Sequence, residues 1–565
     1  MKSRTSFFNW RVLGKDLTRF APLWVLYAVA EVLCLMTIQI SKPEILAGDL
    51  VYVMGPVSIA HMGYAFLVAA CLFGDLVDTR LCNGLHAMPI RREGWLLTHL
   101  ASGMLFALIP AIVGGGFACI LLGEYYWMAL LWQAVSLLQF VLFFGLAVFS
   151  AMCAGNRLGM AAIYAALNFL SMLVYWIADI VYAPLLPGVI FSGDWFRVFS
   201  PVASFADSTY VEFTYDKILG GSFGGYVSGA WQYLYICAAV GIVFLVLAWL
   251  LYRKRALETT GDFISFRPMR GFFLIVYSFA AGALLYSFHY IFGTTLQNYT
   301  FLVVGVALGW FTGWMLLERT VKIFTKKVMF GFAAFAVLFA ASMGITYLDP
   351  AGVATYIPDT ERVRSACLYT AQDAIRYESE FETGGRVLTD PEGIGLVQEL
   401  HRQMLDTPRQ EGREAVGITV RYELKNGMTV YREYDVIPQT ETAVQLNTYL
   451  SNVHSIFSTN DWEAVKANTD SIVIYSHGDG REPVAIENKE TITALLDAIA
   501  ADCEAGTLAQ HDYLHPGEDY VVSMDVQWIW VAADGNNRIT RGEYVVVYEN
   551  CENLNQIFKT MDIIS

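Results

Sequence analysis

"HAMPIRREGWLLTHL", at residues 86–100, places two arginines and a glutamate between two long apolar runs, 51–74 and 98–122. Each run reaches the roughly 20 apolar residues that a membrane-spanning helix needs. A short charged turn between two such helices is typical of a loop at a membrane surface. The stretch therefore predicts a helical membrane protein that crosses the bilayer more than once.

The composition divides the chain into two unlike parts. The 565 residues are 56% hydrophobic and only 16% charged, with a mean hydropathy of +0.45, whereas soluble proteins carry about 25% charged residues. Residues 1–346 hold 21 Lys and Arg against 16 Asp and Glu, and residues 347–565 hold 16 against 36. The acidic second part disfavours nucleic acid as a partner. It favours cations or basic peptides, unless its charge serves only solubility.

Nine apolar runs are candidates for membrane spans: 20–40, 51–74, 98–122, 127–153, 158–185, 231–252, 271–292, 300–317 and 328–347. Lys and Arg concentrate before span one and after spans two, four, six and eight, and the opposite loops carry few. This bias predicts a multi-pass plasma-membrane protein with a cytoplasmic N-terminus and an extracellular C-terminal domain. The basic N-terminus runs into a full-length span, so no cleavable signal peptide is predicted.

Residues 1–19 are predicted to form an amphipathic helix on the inner membrane surface, in contact with lipid. Trp10, Leu13, Leu17 and Phe20 recur at helical spacing, with basic residues between them. The alternative is a disordered basic tail.

Two ionisable residues lie inside predicted spans. Glu31 is near the middle of span one, and His61 is at a comparable depth in span two. Such residues usually face protein or water, because charge is costly in the bilayer. The pair is a candidate substrate pathway or proton-linked site. The alternatives are a structural hydrogen bond between helices and a carboxylic acid that burial keeps neutral.

The C-terminal part alternates helical and strand-like patterns. A helix pattern over 388–405 is followed by two alternating runs joined at Asn426-Gly427, a strong hairpin signal. The same order recurs over 485–503 and 521–549. The fold class predicted is thus a polytopic α-helical membrane protein with an extracellular α+β domain, built from two related helix-plus-hairpin units.

The cysteines and histidines of this domain give weak signals. Cys367, Cys503 and Cys551 are an odd set, which allows one disulfide bridge or three thiols. His511 and His515 have a spacing that suits a metal ion on a helix, but the following Pro-Gly predicts a loop. No metal site is therefore predicted there.

The chain has no Gly-x-x-x-x-Gly-Lys-Ser/Thr loop for ATP, so energised work requires a partner or an ion gradient. The loop 81–97 is the natural contact surface, because it combines charged groups with an apolar side. Its candidate coupling residues are Pro89, Ile90, Arg91, Arg92, Glu93 and Trp95. Arginines that extend to the lipid surface are the alternative.

Three stretches resemble the permease subunits of ABC-2-type ABC transporters, in particular a Gram-positive group with large outer domains. They are "FFNWRVLGKDLTRFAPLW" (7–24), "LHAMPIRREGWLLTHLASG" (85–103) and "YRKRALETTGDFISF" (252–266). The first is similar to the family's interfacial helix, the second to its coupling loop and the third to its basic segment after span six. The residues of interest in the third are Arg253, Arg255, Glu258 and Gly261. The remaining chain agrees with the family in layout only.

The resemblance implies a six-span permease core over 20–270, with a cytoplasmic coupling loop over 81–97 and an extracellular loop over 186–230. Three further spans over 271–347 precede the acidic extracellular domain over 348–565. These boundaries are expectations from the family's layout.

The resemblance also implies partners. The coupling loop is expected to dock on a separate ABC ATP-binding subunit, which holds ATP and magnesium, while this chain binds no cofactor. Arg91 and Glu93 are expected to transmit the movement of that subunit. The complex is expected to contain a second permease, either another copy or a sister chain.

The expected function is export of a peptide, an antibiotic or a lipid-like molecule, and the chain itself is not expected to be an enzyme. The strongly acidic outer domain suggests an alternative of another class. In that alternative the chain is a membrane sensor or resistance module, which binds a ligand such as a cationic antimicrobial peptide and signals through the partner ATPase.

Overall fold

The computed structural model describes residues 8–37, 57–78, 81–82, 91–123, 126–191, 196, 199–206, 228–255, 260–290, 295–370, 387–406, 416–436, 453, 457, 462–476, 483–505, 507–508, 520–531, 538–548, 551–561 and 563. The chain divides into two compact units. The helical unit comprises residues 1–180 and 193–342, and the α+β unit comprises residues 181–192 and 343–565.

The helical unit is a succession of apolar helices. They are α1 (Trp10–Arg19), α2 (Ala21–Thr37), α3 (Val57–Leu72), α4 (Arg92–Leu122), α5 (Tyr126–Cys153), α6 (Arg157–Ile177), the short α7 (Pro201–Ala206), α8 (Ser228–Lys254), α9 (Arg267–Tyr290), α10 (Thr295–Glu318) and α11 (Lys326–Leu348). Seven helices in the described part are long and apolar enough to cross a membrane. The number is eight if α1 and α2, bent by 58° to each other, are one span. The prediction of a polytopic helical membrane protein is confirmed.

Close helix crossings depend on glycine. A Cβ on Gly145 of α5 would lie 2.2 Å from the Gly241 carbonyl oxygen of α8, and a Cβ on Gly241 would lie 2.6 Å from Leu142 Cα. The backbones of α5 and α8 therefore touch directly, as small residues allow in membrane helices. Since α5 is also buried along most of its length, it forms the centre of the helical unit.

The α+β unit contains two antiparallel sheets. Its elements are β1 (Val189–Ile190), β2 (Val363–Thr370), β3 (Val387–Leu388), α12 (Pro391–Asp406), β4 (Val416–Leu424), β5 (Thr429–Val436), α13 (Trp462–Asn468), β6 (Thr469–Ser476), β7 (Val484–Ile486), α14 (Lys489–Glu504), β8 (Tyr520–Val531), β9 (Arg538–Tyr548) and α15 (Glu552–Thr560). The sheet orders are β1-β5-β4-β2-β3 and β7-β6-β8-β9. Apart from β1, both sheets follow one plan: strand, short strand, helix, hairpin.

The duplication is thus more extensive than the sequence pattern indicated. The helix-plus-hairpin part was predicted, whereas the strand pair before each helix was not. Of these strands, β3 and β7 have only two and three residues, too few to show an alternating pattern. Strands β2 and β6 have eight residues each and were long enough to be predicted, but they were missed.

Each sheet covers its own apolar core. In the first, α12 buries Ile394, Val397 and Leu400, and the fourth buried position is Met404. The predicted position was Leu405, which is only half-buried, because a 3.6-residue period after Leu400 reaches 404 first. In the second, α14 buries its predicted residues Ile492, Leu495, Leu496 and Ile499.

The chain after α6 joins the α+β unit. A π-helical turn, Ala178–Tyr182, and a short 3₁₀ turn, Ala183–Leu185, follow α6. Strand β1 then pairs with β5, with Val189 opposite Arg432 and Ile190 opposite Tyr431. The start of the loop predicted over 186–230 therefore supplies an edge strand to the first sheet.

Candidate functional site

The charged stretch of the predicted coupling loop leads directly into a long helix. Arg91 has an extended backbone and precedes the first helical residue, Arg92. Glu93 lies in the first turn, where a negative charge interacts favourably with the helix dipole. Both arginines are exposed. Pro89 and Ile90 lie outside the described residues.

Trp95 lies inside the helical unit and is only 3% exposed. Its ring stacks on Tyr252 of α8, with the centroids 5.7 Å apart. It also meets the edges of Phe73 and His99 at 5.7 and 4.4 Å. The side chain therefore connects the start of α4 to the end of α8, and it does not lie on an open surface.

Glu93 forms an ion pair across the same two helices. Its Oε1 lies 3.6 Å from Arg253 Nε, and both side chains are partly exposed. The Arg253 guanidinium also lies over the Trp249 ring at 5.0 Å. An exposed pair of this kind contributes about 0.2–1 kcal/mol, so it orients the helix ends more than it stabilises them.

A buried polar contact fixes the amphipathic helix α1 to α4. Asp16 Oδ2 lies 2.7 Å from His99 Nδ1, and Ser102 Oγ donates to the same oxygen at 2.8 Å. The Asn9 amide donates to Thr98 Oγ1 at 3.2 Å. Sequence reasoning missed Asp16 and His99. The available signal was an aspartate within an otherwise basic helix.

Arg255 connects the C-terminal ends of two helices. Although it is 4% exposed, its guanidinium donates to the carbonyls of Ala151 at 2.7 Å and Met152 at 3.2 Å, in the last turn of α5. It also donates to the Leu76 carbonyl, just after α3, at 3.0 Å. A cation at a helix C-terminus is favourable, and the fork of the guanidinium reaches both ends at once.

The segment after Arg255 lies along the turn between α5 and α6. Gly261 has φ +100°, a conformation that favours glycine, and its amide donates to Gly155 O at 2.7 Å. The backbone amide of Ser265 donates to the Cys153 carbonyl at 2.9 Å. Glu258 lies outside the described residues.

The three segments that carry the resemblance thus meet at one place. Segment 7–24 contacts 85–103 through Asp16 and His99, and 85–103 contacts 252–266 through Trp95, Glu93 and their partners. We call this group the junction; it consists of Asp16, Glu93, Trp95, His99, Tyr252, Arg253 and Arg255. It joins α1, α4 and α8 at the helix ends that carry the basic loops.

The ionisable residues predicted inside spans one and two are both buried. His61 Nδ1 lies 2.7 Å from Gln139 Oε1, so its direct partner is Gln139. Glu31 instead accepts from the Tyr27 hydroxyl. The Tyr27 ring lies 6.2 Å from the His61 ring, which places Tyr27 between the two predicted residues.

Glu31 occupies a notch in α4 together with Gln133 of α5. A Cβ on Gly114 would lie 2.3 Å from Glu31 Oε2, and a Cβ on Gly115 would lie 2.8 Å from Gln133 Cγ. Gln133 interacts with the Glu31 carboxylate, whereas Glu31 Oε2 and Gln133 Oε1 have no hydrogen-bond partner among the described residues. Two glycines therefore make room for a polar pair that can still accept hydrogen bonds.

The α+β unit has a buried polar network of its own. His401 of α12 lies between two tyrosine hydroxyls, 3.0 Å from Tyr422 and 2.8 Å from Tyr434. Burial, together with the charges of Arg432 and Arg402, lowers the pKa of His401 to about 4. Arg432 donates to the Val353 carbonyl at 2.8 Å, which ties β5 to the chain that leaves α11.

Other predicted positions do not form a site in the described structure. His511 and His515 lie outside the described residues. None of the nine cysteines, all of which are described, forms a disulfide. Cys551 Sγ lies 3.2 Å from the Thr507 carbonyl.

No protein-family model matches the chain, and no curated protein matches it either. The junction and the notch in α4 are therefore the features from which function has to be inferred.

Proposed function

We propose that this chain is the membrane-spanning permease subunit of an ABC-2-type transporter, which exports a peptide, an antibiotic or a lipid-like molecule. The observation that carries the proposal is the junction. Three segments separated by up to about 245 positions, each similar to a family segment, contact one another through side chains at one set of helix ends.

In this proposal the chain crosses the plasma membrane nine times, with the basic loops in the cytoplasm and the α+β unit outside. The enrichment of Lys and Arg at alternate loops supports this orientation. A second permease, either another copy or a sister chain, completes the complex. ATP and magnesium bind to a separate subunit.

In this proposal the junction transmits movement of the docked ATPase to the membrane helices. Movement of the loop 81–97 passes to α1 through Asp16 and His99, and to α8 through Glu93 and Trp95. Arg255 passes it on to the ends of α3 and α5. Because packed interiors transmit displacement with little compression, movement at one loop tilts several helices together. Arg91 and Arg92, which are exposed, contact the ATPase.

Co-purification with an ATP-binding subunit tests the proposal. A tagged full-length chain is expected to retain a subunit with a P-loop sequence and ATPase activity, identified by mass spectrometry. Reversing two charges, Arg91→Glu with Arg92→Glu, is expected to lower its recovery at least tenfold. The matched control is Arg319→Glu with Lys322→Glu, in an exposed basic loop between α10 and α11. Equal recovery with both double variants, or no ATPase at all, contradicts the proposal.

The charge of the α+β part favours a second candidate, a sensor or resistance module. Residues 347–565 carry 16 basic against 36 acidic side chains, which attracts cationic peptides. In this version the ligand changes the activity of the partner ATPase and is not moved across the membrane.

Reconstituted vesicles that contain the complex distinguish the sensor from the exporter. Peptide-dependent ATP hydrolysis without peptide accumulation supports the sensor, and ATP-dependent accumulation supports the exporter.

A further inference from the structure

The notch in α4 brings two buried polar side chains together without completing their bonds. Glu31 is 8% exposed and Gln133 is 7% exposed. The Glu31 carboxylate interacts with the Tyr27 hydroxyl and with Gln133, and in the part of the chain that the structure describes, Glu31 Oε2 and Gln133 Oε1 still lack a hydrogen-bond partner. Buried polar groups are almost always satisfied, so two neighbouring acceptors without a donor need a reason.

The charge of Glu31 is also uncompensated. Among the described residues no Lys, Arg or His side chain forms an ion pair with Glu31, and His61 lies against Gln139 instead. A carboxylate inside a membrane span is expensive and is a functional candidate by default. The missing positive charge therefore has to come from a ligand or from a proton.

We infer that Glu31, Gln133 and Tyr27 bind a protonated primary amine of the transported molecule. An ammonium group carries three donors and no acceptor, and the site offers three acceptors: the Glu31 carboxylate, the Gln133 carbonyl and the Tyr27 hydroxyl oxygen. The inference rests on the proposed function only in assigning the amine to a transported molecule.

Two features favour an amine over an inorganic cation. Tyr27 stacks on Tyr64 with the centroids 3.8 Å apart, and aromatic faces attract organic cations. Hard cations such as calcium require six to eight oxygen ligands. The described residues contain no group of three His, Cys, Asp or Glu side chains that could hold a metal ion.

The notch also explains how room is made. Because Gly114 and Gly115 have no side chains, only the Glu31 carboxylate and the Gln133 side chain fill the space against α4. The ligand group has to be small and positively charged, which an alkylammonium is.

Protection of Glu31 from a carboxyl reagent tests the inference on the full-length chain in lipid nanodiscs. Dicyclohexylcarbodiimide, an apolar reagent, modifies carboxyl groups inside membrane proteins, and mass spectrometry locates the adduct. Phenethylammonium at pH 7.5 is expected to lower the total modification of Glu31, the N-acylurea together with any amide, at least fivefold. Phenethyl alcohol, its neutral counterpart, is expected to leave it unchanged. A phenethylamide on Glu31 is quantified separately and does not count as protection, because free amine from solution can attack the activated carboxyl and release dicyclohexylurea.

Asp179 is the internal control, since it is a carboxylate at the end of another apolar helical segment. Its labelling is expected to be the same with and without the amine. Gln133→Leu is expected to abolish protection while Glu31 still reacts, and Tyr27→Phe replaces it if the first variant does not fold.

Four outcomes overturn the inference: equal protection by the alcohol, equal protection by sodium chloride, no protection by the amine, or no reaction of Glu31 in the empty protein. The measurement needs no ATPase. A negative labelling result therefore rules out the amine site only. The proposed coupling to an ATPase is tested separately, by co-purification.

Discussion

At the scale of single residues, His401 is the clearest case of burial controlling charge. It lies between the hydroxyls of Tyr422 and Tyr434 and is completely buried. Burial and the neighbouring Arg432 and Arg402 lower its pKa to about 4, from 6.5 in a free side chain. Folding therefore keeps the ring neutral at a pH where the unfolded chain would bind a proton.

This shift predicts acid sensitivity of the first sheet. Between pH 6.5 and pH 4 the unfolded state binds more protons than the folded state, so stability falls as the pH falls. A shift of this size corresponds to about 3 kcal/mol. His401→Gln is expected to be less stable than wild type at pH 7.5, and the difference is expected to shrink by about that amount at pH 4. Amide hydrogen exchange of β4 and β5 at the two pH values measures the stability of wild type and variant. A stability difference that does not change with pH contradicts the prediction.

At the scale of elements, the ends of helices are held by side chains from distant segments. Arg255 donates to carbonyls in the last turn of α5 and just after α3. Arg255→Gln is expected to lower the stability of the helical unit by about 3 kcal/mol, because buried charge-assisted bonds are lost and acceptors are left unsatisfied. Arg253→Gln, which removes an exposed pair two positions earlier, is expected to cost at most about 1 kcal/mol.

Thermal unfolding of the purified full-length variants in detergent compares the two arginines. A clearly lower melting temperature for Arg255→Gln than for Arg253→Gln is the expected order. The same melting temperature for both would mean that the three carbonyl contacts of Arg255 do not hold the helix ends. Sequence reasoning selected both residues by resemblance alone and could not distinguish them, because burial depends on which segments fold over the side chain.

The elements themselves were predicted much better than their connections. Apolar runs and alternating patterns are local signals, so the long apolar helices, α12, α14 and both hairpins were found, whereas the short helices α7, α13 and α15 were not. Contacts between distant residues leave no local trace, and Asp16 with His99 or Arg255 with Leu76 were missed for that reason. The pairing of β1 with β5 was missed for the same reason, since a strand of two residues has no pattern of its own.

At the scale of the whole molecule, each compact unit is built from two separate parts of the sequence. The chain enters the α+β unit at residue 181, leaves it at 193 and returns at 343. Average composition places the boundary near residue 347 and cannot detect the first entry. The segment after α6 is therefore a part of the α+β unit, although it lies in the middle of the apolar half of the chain.

This interleaving predicts that a cut within 207–227 does not separate the two pieces. The first piece keeps α5 and β1, and the second keeps α8 and β5. The backbones of α5 and α8 touch at Gly145 and Gly241, and β1 remains paired with β5. After cleavage at an inserted protease site, the two pieces are expected to elute together from a sizing column in mild detergent.

Substitutions at two glycines test whether the crossing of α5 and α8 holds the two pieces of the cleaved chain together. A Cβ on Gly241 would meet backbone atoms of α5 at 2.6 Å, whereas a Cβ on Gly116 of α4 would meet nothing within 4 Å. After cleavage, Gly241→Leu is therefore expected to release the second piece at a lower detergent concentration than the cleaved wild-type chain requires, and Gly116→Leu is expected to leave that concentration unchanged. Separation of the cleaved wild-type pieces already in mild detergent, or release of both leucine variants at the same concentration, would show that the crossing does not hold the pieces together.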